Sequence, residues 1–98
     1  MDPIFRCNGE YFGFAHTWRL FDSRGYYLGW VDEGEVWGGG GAFLGELVDG
    51  CYVLRRKGAV RSPRVPPDPR PPPVPPSPAA PRSFRQPRAG WEDALDEF

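Results

Sequence analysis

Nearly the same phrase occurs three times in this chain: "EYFGFA" at residues 10–15, "YYLGWV" at 26–31 and "GAFLGEL" at 41–47. Stacked at a spacing of 16, Ile4, Leu20, Val36 and Tyr52 share a column, and Phe5, Phe21, Trp37 and Val53 share the next. Gly9, Gly25 and Gly41 align, as do Tyr11, Tyr27 and Phe43, then Phe12, Leu28 and Leu44, then Gly13, Gly29 and Gly45. A fourth copy follows if one residue is inserted in "LRRKG", which brings Gly58 under Gly41 and Ser62 under Gly45. A repeat this short is a single supersecondary unit that cannot bury its apolar face alone, so the copies must pack on one another.

Each copy carries two turn signals. "DSRG" at 22–25 places Asp first and Gly last, and Gly there accepts the positive φ that closes a three-residue hairpin loop; "RCNG" and "GGGG" stand in the same register. Glu33-Gly34 and Asp49-Gly50 suit a two-residue turn of the primed type. The first copy has Thr17-Trp18 instead, and the cost of a bulky residue at positive φ predicts a differently built turn. Between the turns lie short stretches of Tyr, Phe, Trp, Val and Leu, with no sustained helical period. Strands are expected near 3–6, 10–16, 19–22, 26–32, 35–37, 42–48, 51–55 and 59–61. The expected fold is all-β: four antiparallel hairpins around a common axis with pseudo-four-fold symmetry, and a disordered or polyproline II tail behind them. Gly13, Gly29 and Gly45 are read as structural, at points of close backbone approach or sharp bending.

Composition divides the chain into a four-repeat domain over 1–62, a proline- and arginine-rich linker over 63–88 and a short acidic aromatic motif over 89–98. Residues 1–62 hold twelve of the 15 aromatics, and twelve of the 13 prolines lie at or beyond Pro63. Charge follows the same division. Residues 1–54 carry three arginines against eight acids, a net of −5; residues 55–88 carry nine basic residues against Asp68, a net of +8; residues 89–98 carry four acids. Dense proline fixes φ, removes donors and favours an extended conformer, so 63–88 reads as a semi-rigid spacer reaching on the order of 80 Å. Its PxxP patterns are also of the kind that aromatic grooves recognise. At its end, in "GWEDALDEF", Trp91, Leu95 and Phe98 stand at i, i+4 and i+7, on one face of a helix if one formed against a groove. That groove would belong to another protein, to a second copy or to the chain's own head. If the tip captures a partner, deleting 89–98 abolishes capture while the head stays folded.

"PIFRCNGEYFGFA", "RLFDSRGYYLGWVDEGEVW" and "GGGGAFLGELVDGCYVLRRKG" together resemble a bacterial family, the 4-fold beta flower proteins, over residues 3–62. The resemblance implies four short hairpin repeats with pseudo-four-fold symmetry, continuing into a proline-rich stretch and a terminal Trp/Phe acidic motif, which "GWEDALDEF" echoes. It implies no biochemical activity. The chain departs from the pattern in its fourth copy and in the run "GGGG".

Residues for catalysis are sparse. His16 is the lone histidine and Cys7 the nucleophile that could be drawn beside it, but no third group or oxyanion site can be proposed. Asp32, Glu33, Glu35 and Asp49 gather at the tight turns, where carboxylates ordinarily serve turn formation. Cys7 and Cys51 occupy unmatched places in the repeat and are read as ordinary thiols, with a bridge possible. Metal-ligand spacing is absent, and no cofactor is expected. The expected function is that of a non-catalytic interaction or scaffold module, docking Trp91, Leu95 and Phe98 on a partner or on its own head. The alternative is a carbohydrate- or small-ligand-binding head that uses Trp18, Trp30 and Trp37 for stacking or cation–π contact. An unidentified protein partner or self-association is expected. Nucleic acid is disfavoured, because attraction between the basic stalk and phosphate is unspecific and the head is acidic. No apolar run is long enough to span a bilayer and no secretory start is visible, so the default location is the cytoplasm.

Overall fold

A computed structural model describes residues 2–58, 61–66, 75–81 and 89–98. The chain forms one eight-stranded antiparallel sheet in sequential order, curled into a half-barrel. Its strands are β1 (Asp2–Phe5), β2 (Tyr11–His16), β3 (Arg19–Asp22), β4 (Tyr27–Asp32), β5 (Glu35–Gly38), β6 (Phe43–Val48), β7 (Tyr52–Arg56) and β8 (Trp91–Asp93), and a short 3-10 helix, Ala94–Glu97, follows β8.

Three loops close in the same way. Gly9 N–H donates to Arg6 O at 2.9 Å, Gly25 N–H to Asp22 O at 3.0 Å and Gly41 N–H to Gly38 O at 2.8 Å, each glycine holding φ near +90° to +100°. Beyond these loops the register slips at matching places, between Ile4 and Phe5, Leu20 and Phe21, and Val36 and Trp37. The slip brings Gly13, Gly29 and Gly45 opposite Ile4, Leu20 and Val36. At each of these glycines the next strand passes very close. A Cβ added to Gly13 would lie 2.1 Å from Phe21 O, at Gly29 1.9 Å from Trp37 O, and at Gly45 2.5 Å from Leu54 O.

The fourth copy differs from the sequence reading in two respects. First, the extra residue falls in the turn before β7. Val48 pairs with Tyr52, leaving Asp49, Gly50 and Cys51 as a three-residue loop where the other turns have two residues. Val53, rather than Tyr52, therefore joins Ile4, Leu20 and Val36 in one buried cluster. Second, the eighth strand comes from the terminal motif. Residues 59 and 60 lie outside the described residues and Arg61 is in no strand. β7 pairs instead with β8, through Leu54↔Asp93, Arg55↔Glu92 and Arg56↔Trp91. The proline-rich segment is thus the connection of the fourth hairpin.

Ala94 and Leu95 are fully buried and belong to the central cluster with Ile4, Phe12, Leu20, Val31, Val36, Leu44 and Val53. In the first three hairpins the second strand opens on a paired aromatic (Tyr11, Tyr27 or Phe43) followed by Phe12, Leu28 or Leu44; the matching Asp93 is followed by Ala94. Closing so long a connection instead of a four-residue loop costs roughly 2 kcal/mol, because closure entropy grows only as the logarithm of length. Burying Leu95 returns about that much. The curl is secured across its opening where Phe5 N–H donates to Cys51 O at 2.8 Å, and Phe5, Cys51 and Tyr52 form a second cluster flanked by Tyr11, Val48 and Ala79. Cys7 and Cys51 are both buried and are not bridged.

The spacer reading also changes. Of residues 63–88, only 63–66 and 75–81 are among the described residues, in neither strand nor helix. Arg64 N–H donates to Gly41 O at 2.9 Å and Ala79 packs on the second cluster, so both pieces lie on the head. The polyproline expectation for the remainder falls outside the described residues.

Candidate binding site

The terminal peptide is held on its own head by polar contacts as well as by burial. Asp93 caps the 3-10 helix: its carboxylate accepts from Leu95 N–H at 3.0 Å and from Cys7 N–H at 2.8 Å. Arg6 donates to Leu95 O at 3.0 Å and to the main-chain oxygen of Phe98 at 3.3 Å, while its guanidinium sits 5.0 Å from the Phe12 ring centroid. Arg55 pairs with Glu92 at 2.9 Å. Trp91, Leu95 and Phe98 do not form one helical face. Trp91 lies on a strand with Arg56 over its ring, Leu95 fills the core, and Phe98 rests against Phe12 at 5.9 Å, about half exposed. Arg6 and Asp93 escaped sequence reasoning; the visible signal was the Arg in "RCNG" where "DSRG" has its Asp.

The three head tryptophans separate. Trp30 and Trp37 face each other across β4 and β5 with rings stacked at 6.3 Å. Both were expected as ligand contacts, yet Trp30 is only 7% exposed and Trp37 4%, the latter covered by Arg64 at 5.1 Å. Trp18 is the opposite extreme at 73% exposed. The Thr17-Trp18 turn is not built differently from its neighbour: Thr17 and Trp18 have φ of 50° and 62°, matching Glu33 and Gly34 at 50° and 81°. Pairing of His16 with Arg19 leaves two residues for the turn, and strand twist then demands the primed form. A β-branched residue and an indole are held in the left-handed region, at a cost of about 1–2 kcal/mol each. Val31 N–H donates to Trp18 O at 2.8 Å and fixes the turn against β4.

Trp18 stands over an open groove of about 620 Å³ whose lining includes Thr17, Trp30, Asp32, Glu33, Arg64 and Val65. Arg64 bonds Asp32 at 2.7 Å across it. The groove therefore combines an exposed indole and an isopropyl group with carboxylate acceptors and guanidinium donors. His16 ends β2 opposite Arg19, while Cys7, in the loop before β2, donates its N–H to Asp93. Among the described residues no group of three or more His, Cys, Asp or Glu is placed to hold a metal, and no helix is long and apolar enough to cross a membrane. Compared with known proteins, the chain matches no family model, no curated protein and no solved structure.

Proposed function

We propose that this is a non-catalytic binding protein whose site is the Trp18 groove and whose ligand is a carbohydrate. The observation that carries the reading is a tryptophan held at a strained, positive φ and turned out to solvent. Strained residues persist where the surroundings over-determine them, and they cluster at ligand sites. A sugar presents a C–H face for the indole and hydroxyls that both donate and accept, which suits the mixed carboxylates and guanidinium of Asp32, Glu33 and Arg64. A small cation is less suited, because Arg19 and Arg64 stand in the same lining. The terminal peptide, seated on its own head, serves in this reading as part of the scaffold. The reading also treats the four hairpins as equivalent about one axis, in the manner of the 4-fold beta flower proteins; the shared cluster of Ile4, Leu20, Val36 and Val53 supports it.

A glycan array followed by tryptophan-fluorescence titration tests the proposal. A hit should shift the emission of the native protein, and Trp18→Gly should abolish the shift. The same substitution should raise stability by about 1 kcal/mol, since glycine adopts positive φ without strain. An array without hits, or binding retained in Trp18→Gly, removes the groove as the site.

A further inference from the structure

The third hairpin carries a second recognition feature, on the side of the sheet where Arg61 and Arg64 lie. Its strands place Glu35 directly opposite Glu46, a like-charge pair that destabilises a sheet unless a cation lies over it. Asp32 stands just before the same hairpin. Arg61 pairs with Glu35 and lies 4.8 Å from the Phe43 ring centroid. Arg64 pairs with Asp32 at 2.7 Å and lies 5.1 Å from the Trp37 ring centroid. Each guanidinium thus has both a carboxylate and an aromatic ring, the two groups that bind arginine in complementary ways. Between them the main chain comes down onto the loop: Arg64 N–H donates to Gly41 O at 2.9 Å, and a Cβ on Gly41 would lie 2.1 Å from Arg64 O. The missing side chain at Gly41, the last glycine of "GGGG", is what leaves room for that approach.

We infer that this face is a docking site for a proline-containing peptide with two arginines three residues apart, presented by another protein, and that the chain's own Arg-Ser-Pro-Arg at 61–64 occupies it as a tethered stand-in. Charge complementarity favours such a partner, because residues 1–54 carry a net −5. Both arginines of the stand-in are nearly half exposed, so its ion pairs are of the weak, exchangeable kind. Its advantage is the effective concentration that the tether provides, on the order of millimolar. The inference goes beyond the carbohydrate reading and does not use Trp18, although it shares Asp32 and Arg64 with the groove.

The test uses the full chain and a fluorescein-labelled hexapeptide with the sequence of residues 61–66, read by fluorescence anisotropy. Arg61→Ala with Arg64→Ala strips both guanidinium groups from the face and leaves only the main-chain bond of residue 64 to Gly41 O, giving the emptied chain; circular dichroism checks that the sheet is retained. The emptied chain should bind the peptide at least tenfold more tightly than the native chain. Adding Asp32→Asn and Glu35→Gln to the emptied chain should abolish binding. Equal binding to native and emptied chains, no binding to the emptied chain, or binding that survives loss of both carboxylates overturns the inference. Sedimentation of the native chain decides the occupant. A monomer at all concentrations supports a separate partner, whereas a dimer that the double arginine variant lacks assigns the face to a second copy and overturns it.

Discussion

Between β5 and β6 the chain turns over residues 39–42; between β7 and β8 it runs through residues 57–90 before returning to pair. Both hairpins end with an apolar residue in the same buried cluster, Leu44 in one and Ala94 with Leu95 in the other. What completes the sheet is therefore the requirement of the β7 edge and of the core beneath it, rather than nearness along the chain. An unpaired β7 would expose a row of backbone donors and acceptors and open the cluster around Val53. The third hairpin brings its own second strand, and the fourth borrows one from the far side of a proline-rich segment.

Removing residues 89–98 is the strongest challenge to that view. The head then loses β8, Ala94 and Leu95 together, a loss on the order of 4 kcal/mol or more in a fold of marginal stability. We expect no cooperative thermal transition by circular dichroism; a truncated chain that melts like the native one would mean the head is complete without its tip. Leu95→Ala should cost about 2–5 kcal/mol in urea titration, comparable to Leu44→Ala, if the two hairpins share one core. A cost near zero at Leu95 alone would reduce the fourth hairpin to a surface attachment.

Glycine substitutions sharpen the same contrast. Gly29→Ala drives a Cβ into Trp37 O between two short-looped hairpins, where neither strand has freedom to yield, and should cost about 2–4 kcal/mol. Gly45→Ala meets Leu54 O and the Ala94 side chain at the border of the split hairpin. It should cost less, because its Cβ would stop 2.5 Å from Leu54 O, against 1.9 Å from Trp37 O at Gly29. Equal costs would show that the fourth hairpin is as tightly registered as the others.

The smallest expected effect lies where β1 meets β7. Burial holds the Tyr11 phenol above its ordinary value of 10.0, and its hydroxyl has no hydrogen-bond partner among the described residues. The folded state favours the protonated phenol. That contribution is whole below pH 10 and is lost as pH climbs through 10 toward the raised value. Tyr11→Phe should flatten the alkaline fall in melting temperature; an unchanged fall would assign it to other groups, Tyr27 among them, whose phenol is also raised by burial.

The first three hairpins were legible because each writes the same chemistry in the same place: a turn glycine, an aromatic, an apolar residue and a glycine under a crossing strand. The fourth was not, since "WEDAL" has neither glycine and carries Asp93 in place of the paired aromatic. Asp93 stands where Tyr11, Tyr27 and Phe43 stand, and its carboxylate caps a helix instead of filling space. The i, i+4, i+7 spacing of Trp91, Leu95 and Phe98 suggested a helical face, but an available β7 edge outweighs the weak helix propensity of so short a peptide. The inserted residue was recognised and its place was not, because only pairing distinguishes a longer turn at Cys51 from a longer strand end. In the groove, Trp18 and Trp30 were legible as aromatics. The burial of Trp30 and Trp37 was not, since it depends on their pairing across β4 and β5 and on Arg64 crossing over Trp37 from the proline-rich segment.

The split hairpin also sets a timetable for the newborn chain. At 5–20 residues per second, roughly 2–7 seconds of synthesis separate the emergence of β7 from that of β8. Throughout that interval the head waits with one edge bare and its core uncapped. A ribosome that stalls inside the proline run would release a product lacking its closing piece, and proteases would meet it as unfinished.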